Sequence, residues 1–306
     1  MIGNKRDFII VGLGEILWDM LPDGKQLGGA PANFAYHAQA LGGRGIVVSC
    51  IGDDELGKEI IRQLRELGLD RRYITVDKDH PTGTVEVQLD EKGVPNFTIH
   101  KNVAWDFIPL NPDLLNLARR TDAVCFGSLC QRSEKSRKTI QSFLTATRPD
   151  CLRVFDINLR QRYFDQEIIQ TMLGLSNVLK LNDDELKVVA NLLSINGSET
   201  DILSRLTERY SLQLIALTRG TSGSRLYAQE ENSNHPGFQV EVVDTVGAGD
   251  SFTAAMTLGL LHGKTLDRIN EYANRVASFV CSKSGATPKL PDSIIRTIQG
   301  ANRIEN

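Results

Sequence analysis

Residues 244–252 read Asp244-Thr245-Val246-Gly247-Ala248-Gly249-Asp250-Ser251-Phe252, and the chain from Ser251 to Leu261 is small, apolar and rich in helix formers. Gly247 and Gly249 permit positive φ or close approach of a ligand to the backbone. The segment predicts a tight turn that opens a helix. Such a start aims free N–H groups and the positive end of the helix dipole at one point, which makes an anion site. Asp250 stands beside it. A carboxylate there can accept the proton of a hydroxyl that attacks a phosphate. An ordinary Asp, with a pKa of about 3.9, is a weak base. It suffices for phosphoryl transfer because the transition state is loose and the hydroxyl proton leaves late. The alternative is that Asp250 only caps a helix. Asp244-Thr245 and a second glycine segment weigh against that alternative.

The second segment is Gly28-Gly29-Ala30-Pro31-Ala32-Asn33-Phe34-Ala35, with a helical stretch to Leu41 and then Gly42-Gly43. Pro31 suits a first helical turn. Gly28 and Gly29 bring the backbone close to whatever lies at that helix end. Asn33 carries both a donor and an acceptor, as a sugar hydroxyl requires. Taken alone, this segment reads first as a tight turn with an N-terminal polar residue.

Around these two segments, short apolar runs alternate with amphipathic ones. Phe8–Val11, Ile46–Ile51, Ala123–Phe126, Val154–Ile157, Val178–Leu181 and Leu214–Leu217 are expected strands. Most lack strict alternation, as strands buried on both faces of a parallel sheet do. In Glu55–Leu67, Leu56, Ile60, Leu64 and Leu67 recur at helical spacing, and Gly68 follows as a C-cap. The order predicts an open, mostly parallel α/β sheet with helices on both faces. Residues 15–27 and 83–101 break the rhythm. The second of these alternates, with Val85, Val87 and Leu89 against Thr84, Glu86 and Gln88, and Asp90–Gly93 supplies turn residues. Strands projecting from an α/β body suggest a small lid.

Composition narrows the function classes. The 306 residues carry a formal net charge of −3, with a pI near 6.0. No basic excess marks nucleic-acid or anionic-membrane binding. The five cysteines form no C-x-x-C pair, so buried free thiols are expected in place of a disulfide framework or zinc site. The N-terminus has no apolar signal core, no run approaches the ~18 residues of a membrane span, and the expected compartment is the cytoplasm. Two glycine motifs mislead. Gly12-Leu13-Gly14 puts Leu17 where a dinucleotide fingerprint needs its third glycine. Gly259–Thr265 has three residues between its glycines where a P-loop has four, and Gly263 reads as a helix C-cap.

Together, GGAPANFAYHAQALGG and DTVGAGDSFTAAM resemble the N- and C-terminal signatures of the ribokinase-like, or phosphofructokinase-B, sugar kinases. The resemblance covers nearly the whole chain. It implies one ribokinase-like domain over residues 1–306, with a lid from about 15–27 and 83–103 closing over the sugar. It implies ATP as co-substrate and Asp250 as catalytic base, with the amides of Gly247, Ala248 and Gly249 as the anion hole. Asp19, Gly28, Gly29 and Asn33 are the implied sugar holders. Asn182-Asp183-Asp184-Glu185 is similar to the family's N-x-x-E motif, which implies that Asn182 lies near nucleotide phosphate and that Glu185 holds Mg2+ through water. The same tetrad also reads as a capping box. Thr218, Gly220 and Gly223 resemble the nucleotide-binding turn, beside Gly249, and Asn274 is the implied adenine-pocket residue. Asp244, Val246 and the loop near Gly285 correspond to a K+ site of some members. Members form dimers through the lid, and a homodimer is the corresponding expectation.

Within the family, GEILWDMLPDG, KNVAWDFI (Lys101–Ile108) and Asp156-Ile157-Asn158-Leu159-Arg160 are most similar to bacterial fructokinases. D-Fructose is therefore the expected acceptor. The alternatives are another ketose, 2-keto-3-deoxygluconate or a nucleoside, or a non-catalytic sugar-binding regulator on the same fold. Arg160 is expected at phosphate or an acidic sugar, where a guanidinium fork suits either; a surface ion pair is its alternative. Phe97 and Trp105 are expected to wall the sugar pocket, with core packing as the alternative for Trp105.

Overall fold

The structure, a computed structural model, describes residues 7–22, 24–89, 95–229 and 231–299; the side chains of residues 87–89, 95–97, 298 and 299 fall outside that description. The strands are β1 (Ile9–Leu13), β2 (Leu17–Leu21), β3 (Gly24–Gly28), β4 (Arg44–Gly52), β5 (Ile74–Asp77), β6 (Gly83–Leu89), β7 (Pro95–Ile99), β8 (Ala123–Phe126), β9 (Leu152–Asp156), β10 (Val178–Asn182), β11 (Leu214–Thr218), β12 (Ser224–Tyr227) and β13 (Asn232–His235). The helices are α1 (Ala30–Ala40), α2 (Glu55–Glu66), α3 (Pro112–Ala118), α4 (Glu134–Ala146), α5 (Gln166–Leu175), α6 (Asp183–Leu192), α7 (Glu199–Tyr210), α8 (Ala248–Leu261), α9 (Leu266–Cys281) and α10 (Asp292–Gln299).

Nine strands form one sheet in the order β13-β12-β11-β10-β9-β8-β1-β4-β5. All its pairings are parallel except β11–β12 and β12–β13. The continuously apolar runs became its centre: Val124, Phe126, Val154, Phe155, Val178, Leu179, Ile215 and Leu217 are all fully buried. Helices cover both faces. One face packs α3 to α7 over Val11, Phe126, Phe155, Leu179 and Leu217. The other packs α1, α8 and α9 through Phe34, Phe252, Leu258 and Val276, and α2 through Ile60 and Leu64.

From β1 the chain winds outward to β4 and β5, then returns to β8 on the other side of β1 and continues to β11. The order therefore reverses at β1. In open α/β sheets, ligands bind in the crevice beyond the carboxyl ends of the strands at such a point. Glu15, Gly127, Asn158 and Asn182–Glu185 all follow carboxyl ends there.

The two irregular regions make a second sheet, ordered β3-β2-β6-β7. β2 pairs antiparallel with β3 and parallel with β6, and β6 and β7 form the alternating hairpin. Its expected turn at Asp90–Gly93 lies outside the described residues. The small sheet is tied to the body through α2. Trp18 Nε1 donates to Leu56 O at 3.0 Å, and Lys25 pairs with Glu59. Cys50, Cys125, Cys130, Cys151 and Cys281 are free thiols, the last of them half-buried. Among the described residues, no helix is long and apolar enough to cross a membrane.

Candidate active site

The glycine turn does open a helix. Gly247 is the N-cap of α8 with φ 77°, and a Cβ there would collide with the backbone of Ala286. The position therefore needs glycine on both conformational and steric grounds. The Ala248 amide donates to Thr245 O across a long 3.3 Å, and Ser251 N donates to Gly247 O at 2.9 Å. The amides of Gly247, Gly249 and Asp250 have no protein acceptor among the described residues, so of the expected 247–249 amides only that of Ala248 is engaged, and the other two, with that of Asp250, are left to receive an anion.

Asp250 sits in the first turn of α8, with Asn33 Nδ2 donating to its Oδ2 at 2.8 Å. The two glycine segments, 217 residues apart, thus meet in one hydrogen bond. Burial pushes the Asp250 carboxyl up to about 6, helped by the Asp156 charge and opposed by Asn33, Lys180 and Arg160. Asp250 is therefore a stronger base than the ordinary aspartate the sequence suggested, while still ionised at neutral pH.

The residues expected to hold the acceptor come from the small sheet and the start of α1. Asp19 lies on β2 opposite Gln26 of β3, and a Cβ on Gly28 would overlap its Oδ2. Glycine at 28 thus leaves room for the carboxylate. Gly29 has φ 112°, and a Cβ there would strike Glu15 O. Burial pushes Asp19 up to about 6 against the pull of Arg160. Arg160 itself is exposed, reaching only Leu159 O at 3.4 Å among its described hydrogen bonds; its influence on Asp19 and Asp250 is electrostatic. Trp105 is fully buried, with its indole edge against Gly83 and Arg132 stacked 4.0 Å from its ring. It is a core residue under the pocket. The side chain of Phe97 lies outside the described residues.

The residues expected at the nucleotide line one groove: Thr218, Gly220 and Gly223 together with Asn274, Ala277 and Cys281, and with Ala248 and Gly249. Asn274 Nδ2 donates to Ser224 Oγ at 2.7 Å and to Asn270 Oδ1 at 3.0 Å, which fixes α9 to β12. Asn182 and Glu185 form the capping box of α6: Glu185 N donates to Asn182 Oδ1 at 2.8 Å and Asn182 N to Glu185 Oε2 at 2.9 Å. The other oxygen of Glu185 accepts from Leu159 N at 2.9 Å, so this carboxylate also ties β10 to the loop after β9. Asp244 accepts from Val246 N and Gly285 N, each at 3.0 Å, joining the glycine turn to the 285 loop.

Four charged residues near this crevice were given no role of their own in the sequence reading, although Glu15 and Asp156 lie within quoted segments. Glu15 is 2% exposed, its Oε2 has no partner among the described residues, and burial raises it to about 7. Arg132 makes a two-pronged pair with Asp106, Nε to Oδ1 at 2.8 Å and Nη2 to Oδ2 at 2.9 Å, while its Nη1 is buried and unpartnered among the described residues. Lys180 and Asp156 form a buried pair at 3.0 Å. One signal was present: a lysine inside the run Val178–Leu181 and an aspartate ending Val154–Asp156 are charges in strands that are otherwise apolar.

Comparison with known proteins bears on the family and the fold. The family model of the pfkB family carbohydrate kinases matches residues 22–293. An uncharacterized sugar kinase of Pyrococcus horikoshii is 31% identical over 304 residues, covering 92% of this chain and 93% of that one. Its crystal structure in complex with ATP superposes with a TM-score of 0.79 at 29% identity, over 95% of this chain and 100% of that one. Fructokinase-1 of Oryza sativa is 28% identical over 315 residues, 94% of this chain and 96% of that one. Fructokinase of Xylella fastidiosa with bound ATP shares the fold with a TM-score of 0.82 at 20% identity, over 96% of this chain and 98% of that one.

Proposed function

The chain belongs to the pfkB family of carbohydrate kinases, and from that membership we propose that it transfers the γ-phosphate of ATP to a hydroxyl of D-fructose. One observation carries the reading. Asp250, raised to about 6, stands between the groove ending at Gly249 and the Asp19–Gly28–Asn33 cluster, at a helix start whose free amides can receive an anion. The acceptor hydroxyl oxygen attacks the γ-phosphorus, the bond to the β-phosphate oxygen breaks, and ADP leaves. The hydroxyl proton passes to an Asp250 oxygen. The amides of the Gly247–Asp250 turn take the charge that develops on the transferred group.

Asp19 and Asn33 hold the sugar in this reading, and the small sheet acts as a lid that excludes water. Mg2+ fits the donor set. Among the described residues there is no cluster of three or more acidic, His or Cys ligands, and a cation held by triphosphate oxygens, water and a single carboxylate needs none. Glu185 would be that carboxylate, through water, and the ion would neutralise phosphate charge. K+ would lie beside the hole at Asp244 and the carbonyl of Val246. The same reading puts the enzyme in the cytoplasm, as a homodimer through its lid.

Fructose is supported by the fructokinase relatives and by GEILWDMLPDG and KNVAWDFI. A sugar acid such as 2-keto-3-deoxygluconate is the second reading, favoured by the Arg160 charge felt at Asp19, Glu15 and Asp250. ADP release with MgATP and a panel of ketoses, sugar acids and nucleosides tests both. Fructose should give the highest kcat/KM. No turnover with fructose overturns the specific assignment, and turnover undiminished by chelation of divalent metal overturns the Glu185 assignment.

A further inference from the structure

Lys180 stands alone as a charge in the buried strand β10, with only a tenth of its side chain exposed. A lysine in such a place is expensive unless something nearby repays its lost hydration. Burial works against its charge, but the carboxylates of Asp156, Glu185 and Asp250 outweigh that and hold the amine above its ordinary range. It is an ammonium. Its Nζ donates to Asp156 Oδ1 at 3.0 Å. The second Asp156 oxygen is held by Thr253, whose Oγ1 lies 2.9 Å from both Asp156 Oδ2 and Gly249 O. Thr253 is one turn into α8, so the ion pair is bolted to the catalytic helix.

The position of the ammonium is the informative part. A Cβ placed on Gly249 would lie 3.0 Å from Lys180 Nζ. Only because residue 249 lacks a side chain does the charge reach the glycine turn, where the Gly249 and Asp250 amides are free. An anion received by that turn would come within reach of it. An ammonium has three donors, and Asp156 takes one.

We infer that Lys180 is a further catalytic residue, whose ammonium donates to an oxygen of the γ-phosphate and is held on the glycine turn by Asp156 and Thr253. The inference rests on the kinase reading of this turn. Lys180 forms no covalent bond and keeps its proton; it is a fixed point charge where negative charge grows during transfer. Gly249 then matters for the room it leaves: a Cβ there would crowd the ammonium.

The competing explanation is that Lys180 only neutralises Asp156. Calorimetric titration of MgATP and MgADP, without sugar, into wild type, Lys180→Met and the double variant Lys180→Met/Asp156→Asn separates the two. The double variant has no buried charge to leave unpaired, so it serves even where the single variant folds poorly. Loss of one charge-assisted bond to the γ-phosphate should weaken MgATP about 10- to 100-fold in both variants, with MgADP within about threefold. Turnover should fall about 100-fold or more in both. Parallel weakening of ATP and ADP, or a double variant with wild-type ATP affinity, overturns the inference. The nucleotide titration uses no sugar, so failure of the fructose assignment leaves this result readable.

Discussion

Asp250→Asn should make the protein a far poorer catalyst and a more stable fold. As general base, Asp250 is expected to contribute about 10²–10⁴ in kcat, and Asn cannot take the proton. Stability runs the other way. The folded carboxyl sits at about 6 against an ordinary 3.8, so folding favours its protonated form. Its support for the fold is complete below about pH 4 and is lost as the pH rises through about 6. The gap corresponds to about 3 kcal/mol. Because the group opens to the cleft, solvent screening reduces this to about 1–2 kcal/mol. Asparagine carries no charge and can still accept from Asn33. At about 2–4 °C per kcal/mol, the variant should melt about 2–8 °C above wild type near pH 8. Near pH 4 the two should melt together, since both side chains are then uncharged in the fold. Scanning calorimetry at the two pH values, with kcat measured on the same samples, is the assay. A variant that melts lower at pH 8, or shows the same gap at both pH values, refutes the buried-charge argument. Near-normal kcat refutes the base.

Two further outcomes follow from the same geometry. Gly28→Ala would push a methyl into Asp19 Oδ2; the sugar KM should rise about tenfold or more while the ATP KM stays within about twofold, as expected when binding to one substrate alone is lost, and initial rates with both substrates varied would read this. Asn33→Ala removes a donor that holds the Asp250 carboxyl down, so the acid limb of the kcat/KM–pH profile should move above its wild-type position near 6; an unmoved limb would mean that another group titrates there.

How much of this was readable in sequence depends on whether the signal was local. The central strands were legible because burial on both faces leaves unbroken apolar runs, as in Ala123–Phe126. β12 and β13 were not, since Ser-Arg-Leu-Tyr and Asn-Ser-Asn-His close the antiparallel edge of the sheet and an edge strand needs little apolar content. The glycine turn was legible for the same local reason: a backbone that must take φ 77° writes its demand into one residue. Buried charge pairs leave at most a single out-of-place charge in the sequence, never the pairing. Lys180 and Asp156 lie 24 residues apart, and Arg132 and Asp106 lie 26 apart; nothing near either residue of a pair names its partner.

The base itself shows why this matters. Its identity sits inside the C-terminal signature, but its proton affinity does not. After burial, the largest push on Asp250 comes from Asp156, and the opposing pulls come from Asn33, Lys180 and Arg160. Those four residues belong to three separate stretches of chain, at the ends of β9 and β10 and the start of α1. On the proposed reading the signature supplies the carboxylate, and the crevice at the sheet's reversal point raises its proton affinity toward neutral pH. A substitution at Asp156 or Lys180 should accordingly change the chemistry of Asp250 without altering a single residue of the motif.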